Sequence, residues 1–476
     1  MPDRVDILIV GGGLVGTSLA LALDAIGRKT ALVDIAPPRI ATVSGDDDRN
    51  LALARASVNA LSVLGVWPLL EASAGTIRRV EVSRAGEFGR VRMSAEEAGV
   101  DALGRVVPGS RLGASLERRL AACRNVQRLA PATLEKLEPI ASREHHDVPH
   151  HLPGAARLPP SPQRGEGNDN SARSGIRASP TPEREEGSDN DARGRARLSP
   201  SPPWGEGWGE GVSGCSGWRA CIATTDGERD IDARLVVGAD GSDSFVRSAV
   251  GIGAQTHDYH QSLFVCTVSC EREVPDCAYE RFTDDGPIAL LPLPNQRRGL
   301  VLTVTADRHD EVAAMDDAAF LAFAQARFGW KLGRLSRPGK RFPHRIRRVL
   351  ADSVTAPRAV LVGNAAQTVH PVGAQGFNLG LRDALTLADL IDGADDPGAP
   401  ALLQDYARRR QPDREGVLAF SHGLVALGCL AQPMIAPFRS LAMLTLGGVP
   451  SLRHIIARRG MGFRDRPPVA ALEAGP

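Results

Sequence analysis

The residues of this chain whose types and spacing could do chemistry are mostly glycines. The segment Gly363-Asn364-Ala-Ala-Gln-Thr-Val-His370-Pro371-Val-Gly373-Ala-Gln375-Gly376-Phe-Asn378 is a loop with glycines at set intervals and one His-Pro step, and it leads into an expected helix over Leu379–Leu390. Such a loop presents backbone N–H groups and a helix N-terminus to an anion or an electron-rich ring. A second glycine cluster, Gly11-Gly12-Gly13-Leu-Val-Gly16, stands near the start of the chain. No carboxylate dyad or Ser/His/Asp arrangement accompanies them. The pattern points to a bound cofactor that carries the reaction, a flavin held between the two ends of the sequence.

These glycines need elements to position them. Val5–Val10 reads as a buried parallel strand, Leu14–Ile26 as a helix ended by Gly27, and Thr30–Val33 as a strand ending at Asp34. Strand, glycine turn, helix, strand and acid in that order form a dinucleotide-binding unit. Gly11, Gly13 and Gly16 permit the tight turn, the approach of a pyrophosphate and close helix packing, and Asp34, 23 residues on from Gly11, is placed to accept ribose hydroxyls. This unit alone does not separate FAD from NAD. Two further strand ends add to it. Arg234–Asp240 closes on Gly238-Ala-Asp240-Gly241-Ser-Asp-Ser244, and Ala359–Gly363 closes on Asn364. Taken singly, Asp240 has a plain reading as a turn residue and Asn364 as a helix N-cap.

Composition narrows the field. A chain of 476 residues is long enough for two or three domains, its formal net charge is +1, and aromatic residues make up only 4%. A nucleic-acid binder would carry a basic field or a stacking platform. The seven cysteines form no C-x-x-C pair and no histidine stands near them at zinc spacing, so neither a disulfide framework nor a metal is expected. The first apolar run feeds directly into glycines, which is not a signal peptide. Val417–Phe438 is free of acidic and basic residues apart from His422, but Ser421, Gln432, Pro433 and Pro437 interrupt it. A buried helix pair, or an apolar face touching a membrane surface, suits it better than a span.

Residues 144–214 differ from the rest. Pro160-Ser-Pro162 recurs as Pro180-Thr-Pro182 and Pro200-Ser-Pro202, among Gly, Asp, Asn and Arg, with almost nothing apolar to stack. Disorder is the expectation, in an insert between Val126–Leu137 and Trp218–Thr224, two strands of one hairpin, where added length costs little closure entropy. Elsewhere, alternating runs over 77–107 and 257–345 read as antiparallel strands, Leu112–Cys123 and Ala318–Phe328 as helices, and the chain beyond Asn378 as largely helical.

With its three glycine motifs in this order, the chain resembles the FAD-dependent aromatic hydroxylases of the para-hydroxybenzoate hydroxylase type. Within them it is most similar to the ubiquinone-biosynthesis hydroxylases, such as the 2-polyprenyl-6-methoxyphenol hydroxylases. Asp48-Arg49-Asn-Leu-Ala52-Leu53, Leu64-Gly65-Val-Trp67, Tyr279-Glu-Arg281-Phe282-Thr-Asp-Asp-Gly286-Pro287, the loop Gly363–Asp383 and Ala457-Arg458-Arg459-Gly460-Met461-Gly462 carry the likeness. The resemblance implies an α/β fold: a split Rossmann-like FAD-binding domain, an antiparallel β-sheet substrate domain and a helical C-terminal region. FAD-binding parts would be 1–76, 108–143, 215–256 and 346–395, with 77–107 and 257–345 in the substrate sheet and 396–476 as C-terminal helices.

The implied roles are these. Gly11, Gly13 and Gly16 admit the FAD pyrophosphate, Asp34 holds the ribose, and Arg49 lies along the flavin. Asp240 and Gly241 belong to a motif that touches FAD and the reduced nicotinamide. Gly363 and Asn364 meet the ribityl or pyrophosphate part, Asn364 standing where most relatives have Asp. Gly373, Gln375, Gly376 and Asn378 lie against the isoalloxazine ring, and Pro371 lines its substrate face. His370 is placed to shape the loop rather than to act as a base. Tyr279 and Arg281 are candidate substrate contacts, with an equally good reading as the polar face of a strand. Relatives often carry Arg or Asn a turn before the helix at Leu112, where this chain has Pro108-Gly109.

The implied activity is hydroxylation of a polyprenyl phenol on the way to ubiquinone, through a flavin hydroperoxide, using O2 and NAD(P)H or a partner electron donor. Such an enzyme would be cytoplasmic, with peripheral contact to the inner membrane and a possible place in a ubiquinone-biosynthesis complex. The rivals are a flavin monooxygenase of a small soluble phenol, a non-catalytic flavoprotein subunit of a biosynthetic complex and, less favoured, an FAD-dependent dehydrogenase.

Overall fold

Val5–Val10 is almost continuously apolar, and the structure covers it on both faces. The computed structural model describes residues 2–38, 50–141, 215–429, 433–463 and 467–472. The expected insert and Arg49 lie outside them. Strand β1 (Asp3–Val10) leads through the glycine turn to helix α1 (Leu14–Ala25) and strand β2 (Thr30–Val33). β1 pairs in parallel with β2 on one side and with β3 (Gly227–Gly238) on the other. Val126–Leu129 extends the sheet in parallel beyond β2, as β7 (Ala359–Leu361) does beyond β3. Parallel strands share one C-terminal edge. The turns after β1, β2, β3 and β7, which carry Gly11, Asp34, Asp240 and Gly363, therefore converge on it. Backbone bonds tie that edge together: Gly11 N–H donates to Val33 O at 2.8 Å, Ala239 N–H to Val10 O at 2.8 Å and Val362 N–H to Gly238 O at 2.9 Å.

Val126–Leu137, expected as one strand, is two. Val126–Leu129 joins the parallel sheet, whereas Ala132–Ala141 pairs antiparallel with Cys215–Thr224. Pro131 stands at the break, and with no N–H and a locked φ it cannot continue a ladder. The hairpin's last rung sets Ala141 opposite Cys215.

The second layer is a nine-stranded sheet. Its centre is Ala254–Cys270, then β6 (Arg297–Thr305), β5 (Gly286–Pro292) and β4 (Cys277–Thr283), antiparallel in turn. β4 then pairs in parallel, not antiparallel, with Arg79–Arg84. Gly104–Pro108, expected in this sheet, pairs instead with Asn50–Ala54 and Gly75–Ile77 in a small sheet of its own. Gly104 permits this, because a Cβ there would collide with the Leu53 carbonyl. The following helix starts at Gly109, a turn earlier than the expected Leu112.

The helices of the C-terminal part that bear on the site are α2 (Gln375–Ile391), α3 (Pro400–Cys429), α4 (Ala436–Gly448) and α5 (Pro450–Gly460). A Cβ on Gly380 of α2 would stand 2.7 Å from Val15 Cγ2 and 3.0 Å from Gly363 Cα, so this glycine lets α2 lie against α1 and the Gly363 turn. Among the described residues, no helix is long and apolar enough to cross a membrane.

Candidate active site

The cradle begins at Gly11, whose φ of 105° belongs to the left-handed half of backbone space and whose Cβ would strike the Ala239 carbonyl. A Cβ at Gly13 would meet nothing within 4 Å, so the first turn of α1 faces open space. That helix has no side-chain cap, which leaves its first N–H groups available to an anion. Gly16 packs against the Gly11 carbonyl. Asp34 lies beside Gly12, where a Cβ would come 2.6 Å from Asp34 Oδ2, and Asp34 Oδ1 accepts from Ala36 N–H at 3.2 Å. Unspent N–H donors, a bare backbone and a ribose-accepting carboxylate fit the pyrophosphate and ribose of FAD.

Asp240 folds its own motif. Its carboxylate accepts from the Ser244 hydroxyl and, at 3.0 Å, from Val246 N–H, while Gly241 turns the chain at φ 89°. These bonds fit the plain reading of Asp240 as a turn residue. Nearby, Arg247 bonds Ala365 O at 3.0 Å and Ser242 O at 2.9 Å, and so buttresses the Gly363 turn. Asn364 is exposed at that turn. Gly363 N–H donates to Asp383 Oδ2 at 3.1 Å, and Asp383 Oδ1 accepts from Arg410 Nε at 2.7 Å. Arg410 also bonds Asp413, which takes a two-pronged contact from Arg382 at 2.7 and 3.2 Å. Burial pushes the Asp413 carboxyl up, but Arg382 and Arg410 prevail and hold it at about 2. Arg410 and Asp413 were not singled out from sequence, because Arg408-Arg409-Arg410 reads as a solvated run. Their separation of three residues, which puts both on one face of a helix, was the available signal.

His370 is buried and shapes the loop. Its Nδ1 accepts from Val372 N–H at 3.1 Å, so the ring proton sits on Nε2, 3.1 Å from Gln261 Oε1. Tyr259 meets the ring edge-on at 4.8 Å between centroids. Burial lowers the imidazole pKa to about 4. Beyond Pro371 the chain turns through two left-handed residues, Gly373 at φ 70° and Ala374 at φ 51°, so α2 begins at Gln375, not at the expected Leu379. Gln375 Nε2 donates to Gly373 O at 2.9 Å. Asn378 is a staple: Oδ1 accepts from Ala54 N–H at 2.9 Å and Ser57 Oγ at 2.7 Å, and Nδ2 donates to Ala52 O at 2.9 Å and Ala374 O at 2.7 Å. Its amide is fully engaged within the protein, so it positions the loop rather than offering hydrogen bonds outward. No side chain caps α2, and Gly376 has open space around it.

Pro371, Gly373 and Gln375 border a cavity of about 360 Å³ between the loop, the inner face of the nine-stranded sheet and helices α3 to α5. From β4 it receives Ala278, Glu280 and Phe282. Tyr279 and Arg281 are therefore not cavity residues. Side chains alternate along a strand, and these two point to the outer face. There Tyr279 packs edge-on against Phe328 with the Lys331 ammonium 4.7 Å from its ring centre, and with Arg281 it borders a separate, charged cleft. Glu280, unremarked in the sequence, sits on the apolar side, and burial raises its carboxyl to about 7. The sequence signal was the mismatch of one acid in the series Ala278, Glu280, Phe282.

An uncapped glycine-lined cradle leading to a His-Pro loop under an antiparallel sheet defines a flavin-dependent monooxygenase. The overall fold agrees. A p-nitrophenol 4-monooxygenase from Pseudomonas putida superposes with a TM-score of 0.66 at 14% identity, covering 96% of this chain and 98% of that one. A model of the FAD binding domain matches residues 218–421. A ubiquinone hydroxylase, UbiL, of Rhodospirillum rubrum is 32% identical over 465 residues, 97% of this chain and 90% of the relative. The 3-demethoxyubiquinol 3-hydroxylase of Escherichia coli is 28% identical over 415 residues, 86% of each chain. The chain belongs to the FAD-dependent hydroxylases of ubiquinone biosynthesis, and it is an FAD-dependent monooxygenase.

Proposed function

We propose that this enzyme hydroxylates the ring of a polyprenyl phenol, with the ring beside Pro371 and the tail in the apolar cavity. One observation carries the reading: the cavity next to the loop is walled almost wholly by aliphatic and aromatic side chains, and α4 and α5 close it with Met443, Leu446 and Ile456. A small soluble phenol would leave most of that wall uncovered. Bound FAD would supply the activation of O2 and the transfer of one oxygen, with electrons from NAD(P)H or a partner donor. In this reading the N–H groups of α1 and the bare turn at Gly11 and Gly13 hold the pyrophosphate, and Asp34 holds the ribose. Asn364 reaches the middle of the cofactor from the Gly363 turn. The first turn of α2, at Gln375 and Gly376, lies against the flavin ring, where its dipole favours negative charge on the reduced form. Helices α3 to α5 keep water from the reacting centre.

The outer sides of the closing helices support delivery from a lipid surface. Phe438, Leu441 and Leu444 of α4 are 74%, 62% and 56% exposed, and Leu452 and Ile455 of α5 continue the patch. A face of this kind is suited to peripheral contact with a bilayer that holds the substrate. The test is mass spectrometry of lipid quinones from cells lacking the gene. A precursor short of one ring hydroxyl is the expected result, and its structure names the carbon. An unchanged ubiquinone profile overturns the reading.

A further inference from the structure

The cavity beside the loop contains one group that does not belong with its neighbours. Glu280 projects from β4 between Ala278 and Phe282 into a space it shares with Pro371 and Gln375. Among the described residues it makes no hydrogen bond and no ion pair. Among the described residues that line the cavity, no other side chain is titratable or charged. The polar side chains in the wall are those of Thr303, Gln375 and Asn378, and the two amides are engaged within the loop. A carboxyl left alone in such a place is costly unless something completes it. Glu280 is half-buried and opens onto the cavity, where a hydrogen-bond donor on the ligand would complete it.

We propose that the Glu280 carboxylate is a catalytic residue: it accepts the hydrogen bond of the substrate's ring hydroxyl and takes that proton as the ring is oxygenated. This rests on the hydroxylase reading above. As the O–H bond breaks, its electron pair moves into the ring and raises electron density at the ortho and para carbons, one of which bonds the incoming oxygen. The proton forms the Glu280 O–H. When the ring regains aromaticity, the hydrogen on that carbon leaves as a proton, and Glu280 returns its own to the ring oxygen. The oxygen atom comes from O2 and the two reducing electrons from NAD(P)H, with the second oxygen leaving as water, so Glu280 ends as it began. Burial raises this carboxyl to about 7, which places it close to working pH, where a base is both ionised and strong enough to matter.

The test uses the FAD-loaded enzyme and two probes, a short-chain prenylated phenol and its methyl ether, with binding followed by calorimetry at pH 8. A hydrogen bond to a charged group is worth about 1.5–3 kcal/mol, so the wild type should prefer the phenol by roughly 10- to 100-fold. Glu280→Leu should abolish that preference. Glu280→Gln keeps the shape and FAD content, retains part of the preference, and should lower kcat by about 100-fold or more. The limb in the wild-type pH profile that rises through about 7 should vanish with it. The proposal is overturned if FAD-loaded Glu280→Gln keeps both the wild-type rate and the limb, or if Glu280→Leu still prefers the phenol. Failure of the underlying reading looks different, since the wild type itself would then neither bind nor hydroxylate either prenylated ring.

Discussion

Two regions of this molecule draw carboxylates away from water, one fully and one in part, and they do so in opposite ways. Behind the Gly363 turn, Asp383 and Asp413 are held by Arg382 and Arg410 with the protein supplying the partners. Across the loop, Glu280 stands in the cavity with no partner among the described residues. The first arrangement fixes a turn and is finished when the chain folds. The second is finished only when a ligand arrives. Their pH dependences run in opposite directions. Asp413 has a depressed pKa of about 2, so its contribution to stability is present above the ordinary value near 3.8 and is lost as pH falls through 2. Glu280 has a raised one, so the contribution of its protonated form is full below 4.5 and is lost as pH rises through about 7.

The contrast can be broken at its strongest point first. Asp383→Ala leaves Arg410 buried beside one carboxylate where it had two and frees the Gly363 N–H, and it should cost about 3–5 kcal/mol in chemical denaturation. Loss of retained FAD should accompany it. Glu280→Gln should act in the other direction: the ligand-free protein becomes more stable at pH 8, by at most about 3 kcal/mol, and shows little change at pH 4. Denaturant midpoints at the two pH values decide this, and a destabilised variant at pH 8 would contradict the picture of a lone charge against an apolar wall. Between the two acids lies the loop itself. Gly373→Ala would place a Cβ at φ 70° and 3.4 Å from Phe420 Cε1, for a cost of about 1–2 kcal/mol and a drop in turnover seen in steady-state kinetics. The smallest effect should come from the outer face of β4, where Arg281→Ala should leave kcat/KM for a prenylated phenol within about twofold.

What could be read in advance follows from how local each feature is. The turn between β1 and α1, and the acid after β2, are written within a short stretch, because a tight turn and a strand end each leave a residue-level mark. The loop of Gly373 was visible for the same reason, though its helix begins a turn early at Gln375 because two successive left-handed residues redirect the chain at once. The strand of Tyr279 was visible, but its facing was not. Both alternating sets on β4 mix polar with apolar, so the phase is settled only by what lies above the sheet, here helices from the far end of the chain. Asp240 and Asn378 show a second limit. Asp240 binds its own turn at Ser244 and Val246, whereas Asn378 binds Ala52, Ala54 and Ser57, which only tertiary packing brings near. The Asp383–Arg410 pair spans 27 residues and two helices, beyond the reach of any periodicity.

The hairpin rung that sets Ala141 opposite Cys215 has a practical consequence. Chain leaves the sheet and rejoins it at neighbouring points, so whatever joins them is free in length and content as far as the sheet is concerned. The rung is a ready splice site. A fluorescent reporter or an affinity handle placed there would be anchored at both ends while leaving the strand edge that carries the glycine turns, and the sheet over the loop, with the sequence they have now.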